Sequence, residues 1–179
     1  HPKVEINLDT GDAADGIDQI RGKRVDLAIA ARPDDLPTSI HFQTIASVPL
    51  AVVVPTMNCA VKKALQSDSI DWKTVPIIMP EHGVARKRFE QWFRQKHAGR
   101  PNVYAQVSGQ EALVSMVALG FGIGLSPIVV ADNSPVKDLV DLLPDTQIQP
   151  FDLGLCCFKR NLGDPVVAAF LSMAPNESP

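Results

Sequence analysis

The sequence predicts an α/β fold with largely parallel sheets. Short apolar segments rich in β-branched residues alternate along the chain with stretches of helical periodicity. The clearest stretch is Val107–Pro127, VSGQEALVSMVALGFGIGLSP, which reads as strand, cap, helix, glycine stop and strand. A chain of 179 residues with 45% hydrophobic and 21% charged residues has the balance of a globular domain, or of two small lobes.

Val4–Leu8 alternates as a strand, and Asp12–Arg21 follows as a helix capped by Asp12 with Ala14, Ile17 and Ile20 facing inward. Val25–Ala30 is a near-continuous apolar strand, as expected when both faces are covered. His41–Val54 is a long extended run interrupted by Pro49 and closed by Pro55. A short helix is expected near Val61–Leu65, then strands at Pro76–Met79, Val103–Val107 and Ile123–Ser126. Between them lie helices at Val84–Lys96 and Gln110–Leu119.

Ser108 and Glu111 have capping-box spacing at the start of the Gln110–Leu119 helix, and Leu113, Met116 and Val117 fall on one face. Gly120, Gly122 and Gly124 come after a helix and before a strand. A dinucleotide-binding glycine loop has the opposite order, so these glycines predict a helix stop and close packing. Leu153–Phe158 is another apolar strand. Asp164-Pro165 caps a last helix whose buried face is Val166, Val167, Phe170 and Leu171.

A net charge of −3 argues against a DNA-binding module, which would carry a basic face. Arg86-Lys87-Arg88 with Arg94 and Lys96 reads as the wet side of a helix burying Phe89, Trp92 and Phe93. Cys59, Cys156 and Cys157 form no disulfide framework or metal cluster. On a strand, Cys156 and Cys157 point to opposite faces, one buried and one more accessible. No run is apolar and long enough to span a bilayer, and the compartment expected is the cytoplasm.

No catalytic set stands out, so the chain is not expected to be an enzyme. His1, His41, His82 and His97 sit in no nucleophile or metal motif, and Ser126 in GLSP lacks the glycine of a nucleophile elbow. No cofactor is called for. What recurs is the strand-to-helix turn with backbone donors: Thr10-Gly11-Asp12, Glu81-His82-Gly83 and Ser108-Gly109-Gln110. Such turns offer N–H groups to anions at the carboxyl ends of strands. Asp12 and Ser108 also serve as caps under the plainer reading, and Gly83 suits either a close backbone approach or a simple turn. Arg32, after its strand, either faces a carboxylate or lies at the surface; Arg86 is a weaker candidate of the same kind.

The segments VEINLDTGDAADGIDQIRGKRVDLAIA (Val4–Ala30), PIIMPEHGVARKRFEQWF (Pro76–Phe93) and Val107–Pro127, with the NSP at Asn133–Pro135, carry a resemblance across nearly the whole chain. They resemble the effector-binding domain of LysR-type bacterial transcriptional regulators, within that family those of branched-chain amino-acid synthesis. The resemblance implies two Rossmann-like lobes joined by two crossover strands, like a type 2 periplasmic solute-binding protein, with a ligand cleft between them. Lobe I would comprise residues 1–54 and 151–179, lobe II residues 55–150. The strand and helix that normally open lobe I, and the N-terminal winged helix-turn-helix, would lie outside this sequence.

The implied ligand is a small organic acid, an acetohydroxy acid such as acetolactate or acetohydroxybutyrate. The expected contacts are Thr10, Gly11, Asp12, Arg32, His82, Gly83, Ser108 and Gln110. The implied partners are a second copy of the chain, as homodimer or tetramer, and DNA only through the absent N-terminal domain, with no membrane. The Asp12–Arg21 helix would pair with the Gln110–Leu119 helix of a partner, Ala13 and Gly16 allowing close approach. A transport-type solute-binding protein for a small anion is the alternative reading.

Overall fold

The computed structural model describes residues 4–67, 69–96, 99–144 and 147–174; the Lys96 side chain is outside that description, as are His1 and His97. The chain divides into two compact units, His1–Ser47 with Phe151–Pro179, and Val48–Pro150. It is a mixed α/β protein, as the alternating pattern predicts.

In the first unit, helix α1 (Gly16–Arg21) packs on a three-stranded sheet of β1 (Ala28–Ala31), β2 (Ile40–Val48) and a strand from the far end of the chain, Phe151–Phe158. That last strand is central and runs antiparallel to β1, with Ala28 opposite Cys156 and Ala31 opposite Leu153. Ile17, Ile20, Ala30, Ile40 and Cys156 form the core on one face.

Several expectations for this unit are corrected. Val4–Leu8 is not a strand: no ladder partner borders it among the described residues, and its alternating apolar side chains stay exposed. The helix does not begin at Asp12. Asp12 Oδ1 accepts the Ala14 N–H at 2.8 Å, forming a turn, and the Ala13 carbonyl accepts the Ala31 N–H at 2.9 Å. That carbonyl is thus taken by the end of β1 instead of the helical ladder. β1 is shorter than Val25–Ala30, and Ile29 is exposed, so only one of its faces is covered there.

In the second unit, β3 (Leu50–Pro55) follows β2 after the break at Pro49. Then come α2 (Ala60–Leu65), β4 (Pro76–Pro80), α3 (Gly83–Lys96), β5 (Asn102–Val107), α4 (Gln110–Ala118) and β6 (Ile123–Pro127). α5 (Ile128–Asn133), a 3-10 turn and β7 (Val140–Leu142) complete the unit. The sheet order is β5-β4-β6-β3-β7.

The largely parallel sheet predicted from sequence is only partly present. β4 pairs in parallel with β5 and β6, because α3 and α4 supply the crossovers that parallel pairing needs. β3 instead pairs antiparallel with both β6 and β7.

Phe89, Trp92 and Phe93 of α3 are buried, with Phe89 and Trp92 ring centroids 5.5 Å apart. Leu113, Val114 and Val117 of α4 pack with Val53 and Ile78 of the sheet. α4 ends in a Schellman motif: the Gly120 N–H donates to the Val117 carbonyl and the Phe121 N–H to that of Met116, with Gly120 at φ +79°. Close packing explains Gly122 and Gly124. A Cβ at Gly122 would lie 2.6 Å from the Pro76 carbonyl oxygen, and one at Gly124 would lie 2.6 Å from Leu113 Cδ2. Both meet groups that cannot easily move.

The chain returns to the first unit through β8, the strand Phe151–Phe158 already described, and ends in α6 (Pro165–Met173). Asp164 caps α6, its side chain accepting the Val166 and Val167 N–H groups. The buried stripe of α6 is narrower than expected: Val167 and Leu171 are buried, whereas Val166 and Phe170 are exposed. The helix touches the sheet along an i, i+4 line, which leaves the flanking positions in solvent. Cys156 and Cys157 do face opposite sides of β8, but both are buried, since Cys157 packs against Leu155, Val167 and Leu171. The accessible cysteine expected here is absent because α6 covers that face.

Candidate functional site

The structure gathers the sequence-derived candidates into two groups, one in each unit. In the first unit, Thr10 and Gly11 are exposed and Asp12 is half-buried, its carboxylate already shaping the turn through Ala14. The Ala31 N–H to Ala13 carbonyl bond brings this turn beside the end of β1, where Arg32 begins the next segment. The Arg32 N–H donates to the Asp152 carbonyl at 2.8 Å, and its guanidinium stands 5.4 Å from the Phe42 ring centroid. The exposed guanidinium therefore has an aromatic platform that limits its wandering.

In the second unit, two strand-to-helix turns are side by side because β4 and β5 are neighbours. The Glu81 N–H donates to the Val107 carbonyl at 2.9 Å, bonding the Glu81-His82-Gly83 turn to the residue before Ser108. His82 is exposed. Gly83 opens α3 at φ +83°, a conformation that favours glycine, and no acidic residue stands in the first turn of α3. An anion near these N–H groups would meet the positive end of a helix of 14 residues.

The capping box at the second turn does not form. The cap position of α4 is Gly109, at φ +87° and ψ 133°, with no side-chain cap bond. Ser108 lies one residue too early and is exposed, so its hydroxyl is not a helix cap. Gln110 opens α4, and its Oε1 is buried without a hydrogen-bond partner among the described residues. An amide oxygen in that state costs about 1–3 kcal/mol until a donor reaches it.

Arg86 is tied into the first of these turns more fully than its sequence position suggests. Its Nε donates to Glu90 Oε1 at 3.0 Å, and its Nη1 donates to the Glu81 carbonyl at 2.9 Å and the Pro80 carbonyl at 3.3 Å. The i, i+4 spacing of Arg86 and Glu90 was visible in the sequence, but the contacts with the turn were not.

Ser126, Cys156 and Cys157 are not set up as nucleophiles. Ser126 is fully buried and its Oγ donates to the Pro127 carbonyl at 3.2 Å. Burial pushes the Cys156 thiol up to about 11, with adjacent Cys157 adding to the rise, and burial also raises Cys157. Both thiols therefore stay protonated at neutral pH and are poor nucleophiles. Among the described residues, no group of three or more His, Cys, Asp or Glu is placed to hold a metal ion, and no helix is long and apolar enough to cross a membrane.

Known proteins similar to this chain share its family and its fold. A family model described as LysR substrate binding domain matches residues 1–178. The chain is 44% identical over 174 residues to the HTH-type transcriptional activator IlvY of Haemophilus influenzae, covering 97% of this chain and 60% of that protein. It is 42% identical over 179 residues to the HTH-type transcriptional regulator IlvY of Escherichia coli K12, covering 98% of this chain and 60% of that protein. It thus spans about 60% of the length of these curated relatives. Among solved structures, the effector-binding domain of QuiR in complex with shikimate superposes with a TM-score of 0.71 at 22% identity, over 92% of this chain and 77% of that one. The cofactor-binding domain of the Cbl transcriptional regulator gives 0.74 at 17% identity, over 97% and 75% of the two chains. At those identities the structural matches establish the fold.

Proposed function

Because the chain belongs to the LysR substrate-binding domain family, we propose that it is the effector-sensing and oligomerisation domain of a cytoplasmic transcriptional activator of branched-chain amino-acid biosynthesis. Its effector is a small organic acid, an acetohydroxy acid such as acetolactate or acetohydroxybutyrate. DNA contact belongs to a helix-turn-helix segment of the longer protein, in keeping with the name of the IlvY relatives. The curated relatives are regulators, which favours this reading over a transport protein.

The observation that carries the effector reading is Gln110 Oε1, a buried acceptor without a donor at the mouth of α4. Both candidate acids offer a tertiary hydroxyl able to donate to it, and a carboxylate suited to the N–H groups that open α3 and α4. His82, Gly83 and Ser108, on the same unit as Gln110, supply further donors. Binding that favours one arrangement of the regulator over another shifts its population, and the DNA-binding segment reads that shift.

The test is thermal stabilisation. Acetolactate should raise the melting temperature of the chain, while isomeric acids without the ketone should not. No response to any acetohydroxy acid would remove the assignment.

Self-association is the second part of the proposal, with the outer face of α1 meeting α4 of a second copy. Gly16 plays a different role from the one its size suggests. It is buried against its own sheet, where a Cβ would lie 2.7 Å from Ala30 Cβ. The surface offered to a partner is instead the exposed side of α1, at Asp18 and Arg21.

A further inference from the structure

We propose that Arg86 is a positioning residue that couples the two strand-to-helix turns of the second unit and fixes the geometry in which they meet the effector. This rests on the effector-binding reading above. The sequence suggested Arg86 as a weak direct contact, but its bonds point back into the protein. One guanidinium bonds to the Pro80 and Glu81 carbonyls and to Glu90, and Nη1 also reaches Gln106 Oε1 on β5 at 3.5 Å.

The planarity of the peptide group makes these contacts directional. In the trans Pro80–Glu81 peptide the C=O and N–H point in opposite directions. Arg86 holds the carbonyl, while the Glu81 N–H reaches across to the Val107 carbonyl at 2.9 Å. The same peptide plane is therefore pinned from both sides. Val107 directly precedes Ser108-Gly109-Gln110, so the pinned plane ties the start of α3 to the start of α4.

A cation near a helix N-terminus opposes the helix dipole, so this placement does not come from helix stability alone. Two backbone carbonyls and the Glu90 carboxylate offset that cost. A planar, multi-donor guanidinium is suited to bridging several acceptors in fixed directions, which a lysine ammonium does not reproduce.

The experiment combines amide hydrogen exchange with effector titration on the whole chain, comparing wild type, Arg86→Ala and Arg86→Lys. In Arg86→Ala the Glu81 amide should exchange about 10-fold faster or more, the loss expected when a charge-assisted hydrogen bond is removed. Amides of the central strand β6 should keep their rates. Uniform acceleration across the sheet, or an unchanged Glu81 rate, would overturn the clamp.

With acetolactate as probe, Arg86→Ala should weaken binding by about 10-fold, and the neutral amide of the same acid should lose affinity by the same factor. A much larger loss for the carboxylate than for the amide would mean direct contact and overturn the positioning role. Arg86→Lys should recover only part of the affinity; full recovery would show that a point charge suffices and would overturn bridging. Failure of the wild type to bind acetolactate would instead remove the effector assignment, and the Glu81 exchange rate would still decide whether Arg86 is the clamp.

Discussion

Replacing Gly109 by alanine isolates the backbone contribution to the α4 turn. A Cβ there would meet nothing within 4 Å, so crowding adds nothing. The cost comes entirely from φ +87° with ψ 133°, beside a region that is essentially reserved for glycine, and is of order 1–3 kcal/mol. Gly11 is the matched control: it too has open space, and its φ lies outside the positive range. Gly11→Ala should be neutral or slightly stabilising, by up to about 1 kcal/mol, through the unfolded state. Urea unfolding is the assay, followed for Gly109→Ala by tryptophan fluorescence, because Trp72 and Trp92 belong to its unit, and for Gly11→Ala by circular dichroism, because Gly11 lies in the other unit. At an m-value of about 2 kcal/mol/M, Gly109→Ala should lower its midpoint by roughly 0.5–1.5 M, whereas Gly11→Ala should leave its own in place or raise it by up to roughly 0.5 M. Equal midpoints for Gly109→Ala and wild type would refute the claim that glycine is required there for conformational reasons.

Three other outcomes follow from packing and ionisation. Gly16→Ala should destabilise the first unit by about 1–3 kcal/mol, measured by circular dichroism on urea titration, because the new methyl would overlap Ala30 and the Ile29 carbonyl; a neutral effect would mean that α1 can slide freely on its sheet. Ser108→Ala should change the unfolding free energy by less than about 0.5 kcal/mol, since Ser108 caps nothing; a loss near 1 kcal/mol would restore the capping box. Cys156 ionises at about 11 when folded against 9.0 in its ordinary state, so the unfolded chain releases the proton first. The stability it supplies is full below pH 9 and is lost as pH rises towards 11, and the difference in pH slope between wild type and Cys156→Ala measures it. Identical slopes would contradict the raised ionisation.

Strong periodicity and unambiguous punctuation made most elements legible. Pro49 and Pro55 bounded β3, Asp164-Pro165 started α6, and Gly120 ended α4. The failures have a common cause: a partner distant in sequence decided the local outcome. Asp12 carries a good cap side chain, yet the Ala13 carbonyl was claimed by Ala31, which delayed the helix. Val4–Leu8 alternates correctly but finds no ladder among the described residues. Ser108 and Glu111 have capping-box spacing, but Gly109 at positive φ took the cap position. At the site, the turn residues could be read from glycines and small polar groups before helices. The buried state of Gln110 Oε1 depends on tertiary packing, and the Glu81 N–H reaches the Val107 carbonyl only because β4 and β5 are neighbours, neither of which a local pattern encodes.

The most direct measurement of the central claim is a calorimetric titration of acetolactate into the wild-type chain and into Gln110→Ala. Alanine is well tolerated in the first turn of a helix, so folding should be preserved. The wild type should bind saturably, and the variant should bind roughly 10- to 150-fold more weakly, the loss of one hydrogen bond within a charged ligand site. A wild-type chain that takes up no acetohydroxy acid, or a variant whose isotherm matches the wild type, would contradict the assignment of this turn to effector recognition.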